Sequence, residues 1–225
     1  MVILLKKTLF IFISALLLLF SFTQSIAQDK KRQAFKGLVI VIDPGHGGND
    51  PGARTKEVDE DILNLQISLK IKEKLQEMGA SVILTRDDDY DLAQADASNI
   101  KRSDMQERAK ILNQDNVTLF LSIHGNISLD KKCSGAVVYY RIDDENSKQL
   151  AQCIMDELKE TTSSRYQIKK GDFYLLNNTT TLGVLVETGF LSNPQDLKKL
   201  QRSDYQEKLA ESILDGITQF LKPIL

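Results

Sequence analysis

The chain is poor in the residues that mark several common classes. Its 225 residues hold two cysteines, Cys133 and Cys153, and neither sits in a C-x-x-C pair. Two are too few for a disulfide framework, and the missing pair argues against cysteine-held zinc and dithiol redox chemistry. An exported protein could join them, but a domain of this size needs no staple, so two unpaired, partly buried thiols are expected. Lysine and arginine form no stripe and the formal net charge is −2, which argues against nucleic acid as a partner. There is no internal repeat, no low-complexity block and no H-E-x-x-H helix of the usual metalloprotease kind. Histidine is as scarce as cysteine, with only His46 and His124.

Long apolar runs are also few. One stands at the start, where Lys6 and Lys7 precede an uncharged stretch from Thr8 to Phe22. It is shorter than the roughly 20 residues that span a bilayer comfortably. Ser25 and Ala27 supply the small-x-small pattern that a signal peptidase reads. Residues 1–27 are therefore expected to be a signal peptide cleaved after Ala27, with a retained membrane anchor as the alternative. Either way the rest is expected to be exported, touching a membrane only through this segment. Losing residues 1–27 shifts the net charge from −2 to −4. Residues 28–36 read as a polar linker and 37–225 as one domain, long enough for a real core.

Within that domain, Leu38–Ile42 is a continuous run of branched apolar residues ending at Asp43-Pro44-Gly45, as a strand buried on both faces should. Further strands are expected over 80–85, 117–123, 135–140, 173–176 and 183–186. Helices are expected over 60–78, 104–113, 145–160 and 204–221. The first of them is read as placing Ile62, Leu65, Leu69, Leu75 and Met78 near one face, and the last as aligning Tyr205, Leu209, Ile213, Ile217 and Phe220. Strands alternating with helices imply an α/β fold: a single domain with a twisted, mostly parallel sheet flanked by helices.

Both histidines lie just past the end of an apolar strand, the edge at which open α/β sheets bind ligands. Glu187 closes a third such strand, where a carboxylate without a partner is costly. Glu60 opens the helix after the His46 loop, and its carboxylate points back toward the same rim. Two imidazoles and one carboxylate form a known set for catalytic zinc, and a second carboxylate can act as general base on a water. Each residue also has a plainer reading. A histidine at a strand end is commonly a hydrogen-bonding structural residue, and Glu60 could belong to a solvated acidic face with Glu57, Asp59 and Asp61. The residues alone reach a metal hydrolase and stop there.

Several segments then read together. Ile42-Asp43-Pro44-Gly45-His46-Gly47-Gly48, Asp50-Pro51-Gly52-Ala53, Glu60 before Asn64-Leu65, Leu84-Thr85-Arg86-Asp87, Ser122-Ile123-His124-Gly125-Asn126 and Val186 to Asn193 occur in that order. From about Leu38 onward the chain resembles the N-acetylmuramoyl-L-alanine amidases of the amidase-3 type. The resemblance implies Zn2+ held by His46, Glu60 and His124, with Glu187 as catalytic acid/base. It selects Glu60 over Glu57, because the family's glutamate usually precedes Asn-Leu with three residues between, as Glu60 does. It implies hydrolysis of the amide between N-acetylmuramic acid and L-alanine, with peptidoglycan as partner, at an extracytoplasmic place: periplasm, cell wall or the forespore intermembrane space.

The alternatives are a zinc peptidase acting on the stem peptide and a non-catalytic wall-binding protein. Arg86 and Arg108 are read as ion-paired scaffold, and Asn126 as a neighbour of zinc or of substrate. Two features depart from the family. Thr179 to Gly183 lacks the proline that many relatives carry there, and the interval from His124 to Glu187 has no room for the helical insertion that blocks zinc in some of them. The site is then either open or controlled by an activating protein partner. A small chain without wall-binding repeats resembles the sporulation members that modify spore cortex.

Overall fold

The computed structural model describes residues 33–223; the expected signal peptide and residues 28–32 of the expected linker lie outside the described residues. In chain order the elements are β1 (Val39–Pro44), α1 (Glu60–Glu77), β2 (Ser81–Leu84), α2 (Ile100–Leu112), β3 (Leu119–Asn126), β4 (Val137–Arg141), α3 (Glu145–Thr162), β5 (Lys169–Gly171), α4 (Tyr174–Asn177), β6 (Gly183–Phe190), α5 (Pro194–Leu200) and α6 (Ser203–Leu221). The sheet runs β2-β1-β3-β6-β4-β5. β2, β1, β3 and β6 are mutually parallel, β4 is antiparallel to β6, and β5 follows β4 in parallel. The sheet is therefore mostly parallel and covered on both faces.

Alternation along the strands sorts the core into two layers. Ile40, Ile42, Leu121, Ile123, Val184 and Val186 face α1, α3 and α6, meeting Leu63, Ile67, Leu150, Ile154, Leu209 and Ile213. Val41, Phe120 and Leu185 face the other way, onto Ala109 and Leu112 of α2 and Leu175 and Leu176 of α4. α6 and α3 approach very closely. A Cβ on Gly216 would stand 2.4 Å from the Ile154 Cα and 2.8 Å from its nitrogen. Gly216→Ala is expected to overpack this contact by about 1–3 kcal/mol, more than the roughly 1 kcal/mol that alanine returns in helix propensity. Thermal unfolding should show a midpoint lower by a few degrees. An unchanged midpoint would mean that the two helices are free to separate.

Four expectations need correction. Residues 33–36 do not continue a polar linker: they enter a turn in which Phe35 is fully buried and its N–H donates to the Met78 carbonyl at 2.8 Å. On α1, Ile62 and Leu69 are exposed, and the inward line is Leu63, Ile67, Ile71 and Leu75. α1 carries apolar residues around much of its circumference, and the seam between sheet and α6 selects one of two available stripes. Residues 173–176 do not form a strand; Tyr174–Asn177 is a single helical turn. A turn lets Leu175 and Leu176 pack on the same layer, which alternation along a strand would forbid. Arg86, read as ion-paired, instead donates to main-chain carbonyls, as described below. Cys133 and Cys153 are free and partly buried, as expected.

Candidate metal centre

Three strands and one helix start deliver the site. His46 lies two residues past β1 with φ of 64°, a left-handed conformation that costs a non-glycine residue about 1–2 kcal/mol. Gly45 before it brings the backbone against the His124 ring, where any Cβ would sit 2.3 Å from a ring atom. Glu60 opens α1 and is 4% exposed. Its Oε1 lies 3.2 Å from His46 Nε2 and 3.2 Å from His124 Nδ1. The two imidazoles meet edge to face, with centroids 5.0 Å apart. Glu60 Oε2 accepts from the Ala53 N–H at 2.9 Å, and Oε1 from the Gly125 N–H at 3.2 Å, so the carboxylate is fixed at both ends. Burial alone would raise the Glu60 carboxyl, but the hydrogen bonds and charges of His124 and His46 outweigh it and hold it well below the carboxylate range.

The other acids nearby go elsewhere. Glu57 is exposed, and Asp59 faces Arg54 at 3.7 Å. Asp50 Oδ2 is 2.9 Å from His46 Nδ1 and also meets the Lys101 ammonium. Burial opposes its ionisation, yet Lys101 and His46 bring the carboxyl down to about 2. A carboxylate on Nδ1 makes that nitrogen the donor and leaves Nε2 with a free lone pair facing Glu60, the usual arrangement behind a metal-binding histidine.

Glu187 sits on β6 directly across from His124 on β3 and from Val137 on β4. It is 9% exposed, and its Oε2 is buried with no hydrogen-bond partner among the described residues. Burial pushes the carboxyl up to about 7, against the pull of His124 and with the nearby Glu60 charge adding to the rise. Beneath the rim, Asp43 accepts from Thr85 Oγ1 at 2.7 Å, Ser122 Oγ at 2.7 Å and Arg108 Nη1 at 2.8 Å. That network ties β1, β3, α2 and the end of β2 together below His46.

Residues 40–219 match the N-acetylmuramoyl-L-alanine amidase family. The chain belongs to that family. It is 38% identical over 190 residues to the germination-specific N-acetylmuramoyl-L-alanine amidase of Bacillus subtilis, covering 82% of this chain and 80% of that one. Among solved structures it resembles the CwlD amidase of Clostridioides difficile, determined in complex with the GerS lipoprotein, at 37% identity and a TM-score of 0.79 over 83% of this chain and 99% of that one. The catalytic domain of the CwlV amidase from Bacillus (Paenibacillus) polymyxa follows the same fold at 32% identity and a TM-score of 0.72, over 82% and 98% of the two chains. The protein is thus an N-acetylmuramoyl-L-alanine amidase of peptidoglycan.

In this amidase one candidate donor atom from each of His46, Glu60 and His124 lies within 4.8 Å of the other two, an arrangement that could hold a metal ion. Their donor chemistry suits zinc: two neutral nitrogens and one carboxylate oxygen. The two 3.2 Å separations from Glu60 Oε1 are close to the ~3.3 Å edge of a tetrahedron with bonds of about 2.0 Å. Asn126 turns its Oδ1 onto the Ile127 N–H at 2.8 Å. Reading residue types along the sequence gave no role to Asp50 or to Asn64. Their signal was spacing: Asp50 lies four residues after His46 in the same loop, and Asn64 lies one helical turn after Glu60.

Proposed function

We propose that this amidase is a zinc enzyme in which His46, Glu60 and His124 hold the ion and Glu187 is the acid/base. The observation that carries the reading is the convergence of two imidazoles on one buried carboxylate, with a second carboxylate on the neighbouring strand whose Oε2 has no hydrogen-bond partner among the described residues. When bound, zinc supplies Lewis acidity, which polarises an amide carbonyl and makes a water acidic near neutral pH. Glu187, ionised, takes a proton from the attacking water. As the carbon–nitrogen bond breaks, Glu187 returns that proton to the leaving alanine nitrogen. Its poise near 7 suits both transfers. Glu60, fixed by Ala53 and Gly125, stays ionised throughout.

The substrate bond is the amide joining N-acetylmuramic acid to L-alanine, and the setting is cell-wall or spore-cortex remodelling outside the cytoplasm. The germination-specific name of the Bacillus subtilis relative supports the cortex role. Export rests on the signal-like residues 1–27, and no helix among the described residues is long and apolar enough to cross a membrane. The lipoprotein bound to the CwlD amidase supports a protein partner here as well. The test is mass spectrometry of products from intact peptidoglycan, with zinc and with a chelator. Zinc-dependent release of stem peptides with new alanine amino termini is expected. Cleavage inside the stem would replace the reading with a peptidase, and equal release with chelator present would remove the metal from it.

A further inference from the structure

We propose that Arg86 is a positioning residue of the metal centre, holding the segments that carry His46 and Glu60 in register through their main-chain carbonyls. The inference rests on the reading of those two residues as ligands. Arg86 follows β2, the edge strand, and is 1% exposed. Its Nε donates to the Pro44 carbonyl at 3.0 Å and its Nη1 to the Asp88 carbonyl at 3.1 Å. Its Nη2 donates twice, to the Gly45 carbonyl at 3.0 Å and to the Asp61 carbonyl at 2.8 Å. Four of the five guanidinium N–H groups are used, and all four end on peptide oxygens.

That pattern is unusual for a scaffold cation. Arg108, its neighbour, pairs with Asp43 at 2.8 Å and Asp104 at 2.9 Å. The hydrogen bonds of Arg86 reach no carboxylate, and burial together with the Arg108 charge pushes its guanidinium below the ordinary arginine range. A buried charge held this way is a costly means of joining a strand to a helix, and apolar packing does that work at lower cost. What the guanidinium adds is geometry. Gly45 directly precedes His46, so its carbonyl belongs to the peptide plane that sets the left-handed φ of 64°. Asp61 directly follows Glu60. One terminal nitrogen therefore spans the two segments.

Asn64 repeats the bridge, donating to the same Gly45 carbonyl at 3.1 Å and to Glu60 Oε1 at 3.3 Å. The Gly45 oxygen thus receives two side-chain donors, each of which also bonds to the segment that opens with Glu60. A lysine at 86 keeps the charge, but its compact ammonium cannot reach four carbonyls arranged around a planar fork.

The experiment uses the full chain, wild type and Arg86→Lys, with zinc affinity read by competition with a chromophoric chelator and folding read by thermal unfolding without metal. Arg86→Lys is expected to stay folded and to bind zinc about 10–100-fold more weakly, the range typical of outer residues that orient ligands. Its cobalt-loaded form should show a shifted visible spectrum. A folded Arg86→Lys with wild-type zinc affinity would overturn the proposal and leave the ligand reading intact. His124→Ala separates the two ideas: if it binds zinc as tightly as wild type, the ligand reading itself fails. Should Arg86→Lys not fold, the wild-type protein decides. Without metal, the Arg86 Nε–H should exchange slowly, and the Gly45 and His46 amide signals should keep their relative positions when zinc is added. Fast exchange, with a large rearrangement of those amides on loading, would overturn it.

Discussion

Replacing Glu187 by Gln is expected to lower hydrolysis by 10²–10⁴-fold, the usual contribution of a positioned acid/base, while zinc affinity stays within a few-fold of wild type. The expectation follows from where Glu187 stands. It pairs with His124 across the β3–β6 ladder, close enough to feel both histidines and Glu60, yet it contributes no atom to the three-residue ligand cluster. Its Oε2 has no partner among the described residues, so the carboxylate is held in reserve. Glutamine keeps the shape and removes the basic oxygen. The wild-type pH profile carries the same signature. Without metal, burial brings the Glu187 carboxyl up to about 7. A bound dication draws it below that, and only the ionised form accepts a proton, so hydrolysis should climb with pH on the acid side of 7 and level off above it. A Gln variant should lose that limb along with the rate. Full activity in Glu187→Gln would move the base to another group.

Stripping the metal is expected to abolish hydrolysis and to lower the unfolding midpoint by roughly 8–16 °C. At a free zinc concentration 1,000 times Kd, binding stabilises the folded state by about 4.1 kcal/mol, and in a chain of this size each kcal/mol moves the midpoint by about 2–4 °C. Calorimetry with and without chelator measures it, and superimposable traces would show that no ion binds the folded state. Acid should release the metal, because protons and zinc compete for the same lone pairs. Burial alone would lower the His46 imidazole, but Glu60 and Asp50 outweigh it and raise it. In the metal-free chain this pairing has its own pH window. The raised His46 stabilises fully below its ordinary value near 6.5, and that contribution fades as pH climbs through its folded value. The lowered Glu60 stabilises above its ordinary value near 4.5 and fades on the acid side. Taken together these two groups contribute fully between about 4.5 and 6.5, while the raised Glu187 carboxyl takes stability away as pH climbs from about 4.5 toward 7. Metal-free protein should therefore be most resistant to unfolding near the acid end of that span, and metal-loaded protein at higher pH.

The fold was largely legible because its strands are continuous apolar runs that end abruptly at polar residues. The runs before Asp43 and Glu187 and the one before His124 marked both the parallel sheet and its working edge, and the structure brings His46 and His124 together with Glu60, with Glu187 across from His124. What stayed hidden had weaker local signals. β5 is Lys169-Lys170-Gly171, an edge strand with no apolar alternation, stitched to β4 only by backbone pairing. α5 is announced by a cap, with the Asn193 side chain accepting from the Gln195 and Asp196 N–H groups and Pro194 at the first turn, a signal that is quiet beside the apolar patterns. α1 offered two apolar stripes, and only tertiary contact with α6 could choose between them. The support around His46 was hidden for another reason. Asp50, Asn64 and Arg86 act through carbonyls and ring nitrogens whose positions exist only once four segments have met.

One feature of the sheet bears on timing. β6 belongs late in the chain but lies between β3 and β4, both of which precede it. A polypeptide emerging in order has already passed His46, Glu60 and His124 before the strand carrying Glu187 exists. The pairing of β4 into this sheet runs through β6, so it cannot be completed until residues 183–190 are present. With Glu187 as the proposed acid/base, a chain cut short before residue 183 is expected to be inert toward the wall, because the strand that completes the middle of the sheet also carries the last group of the site.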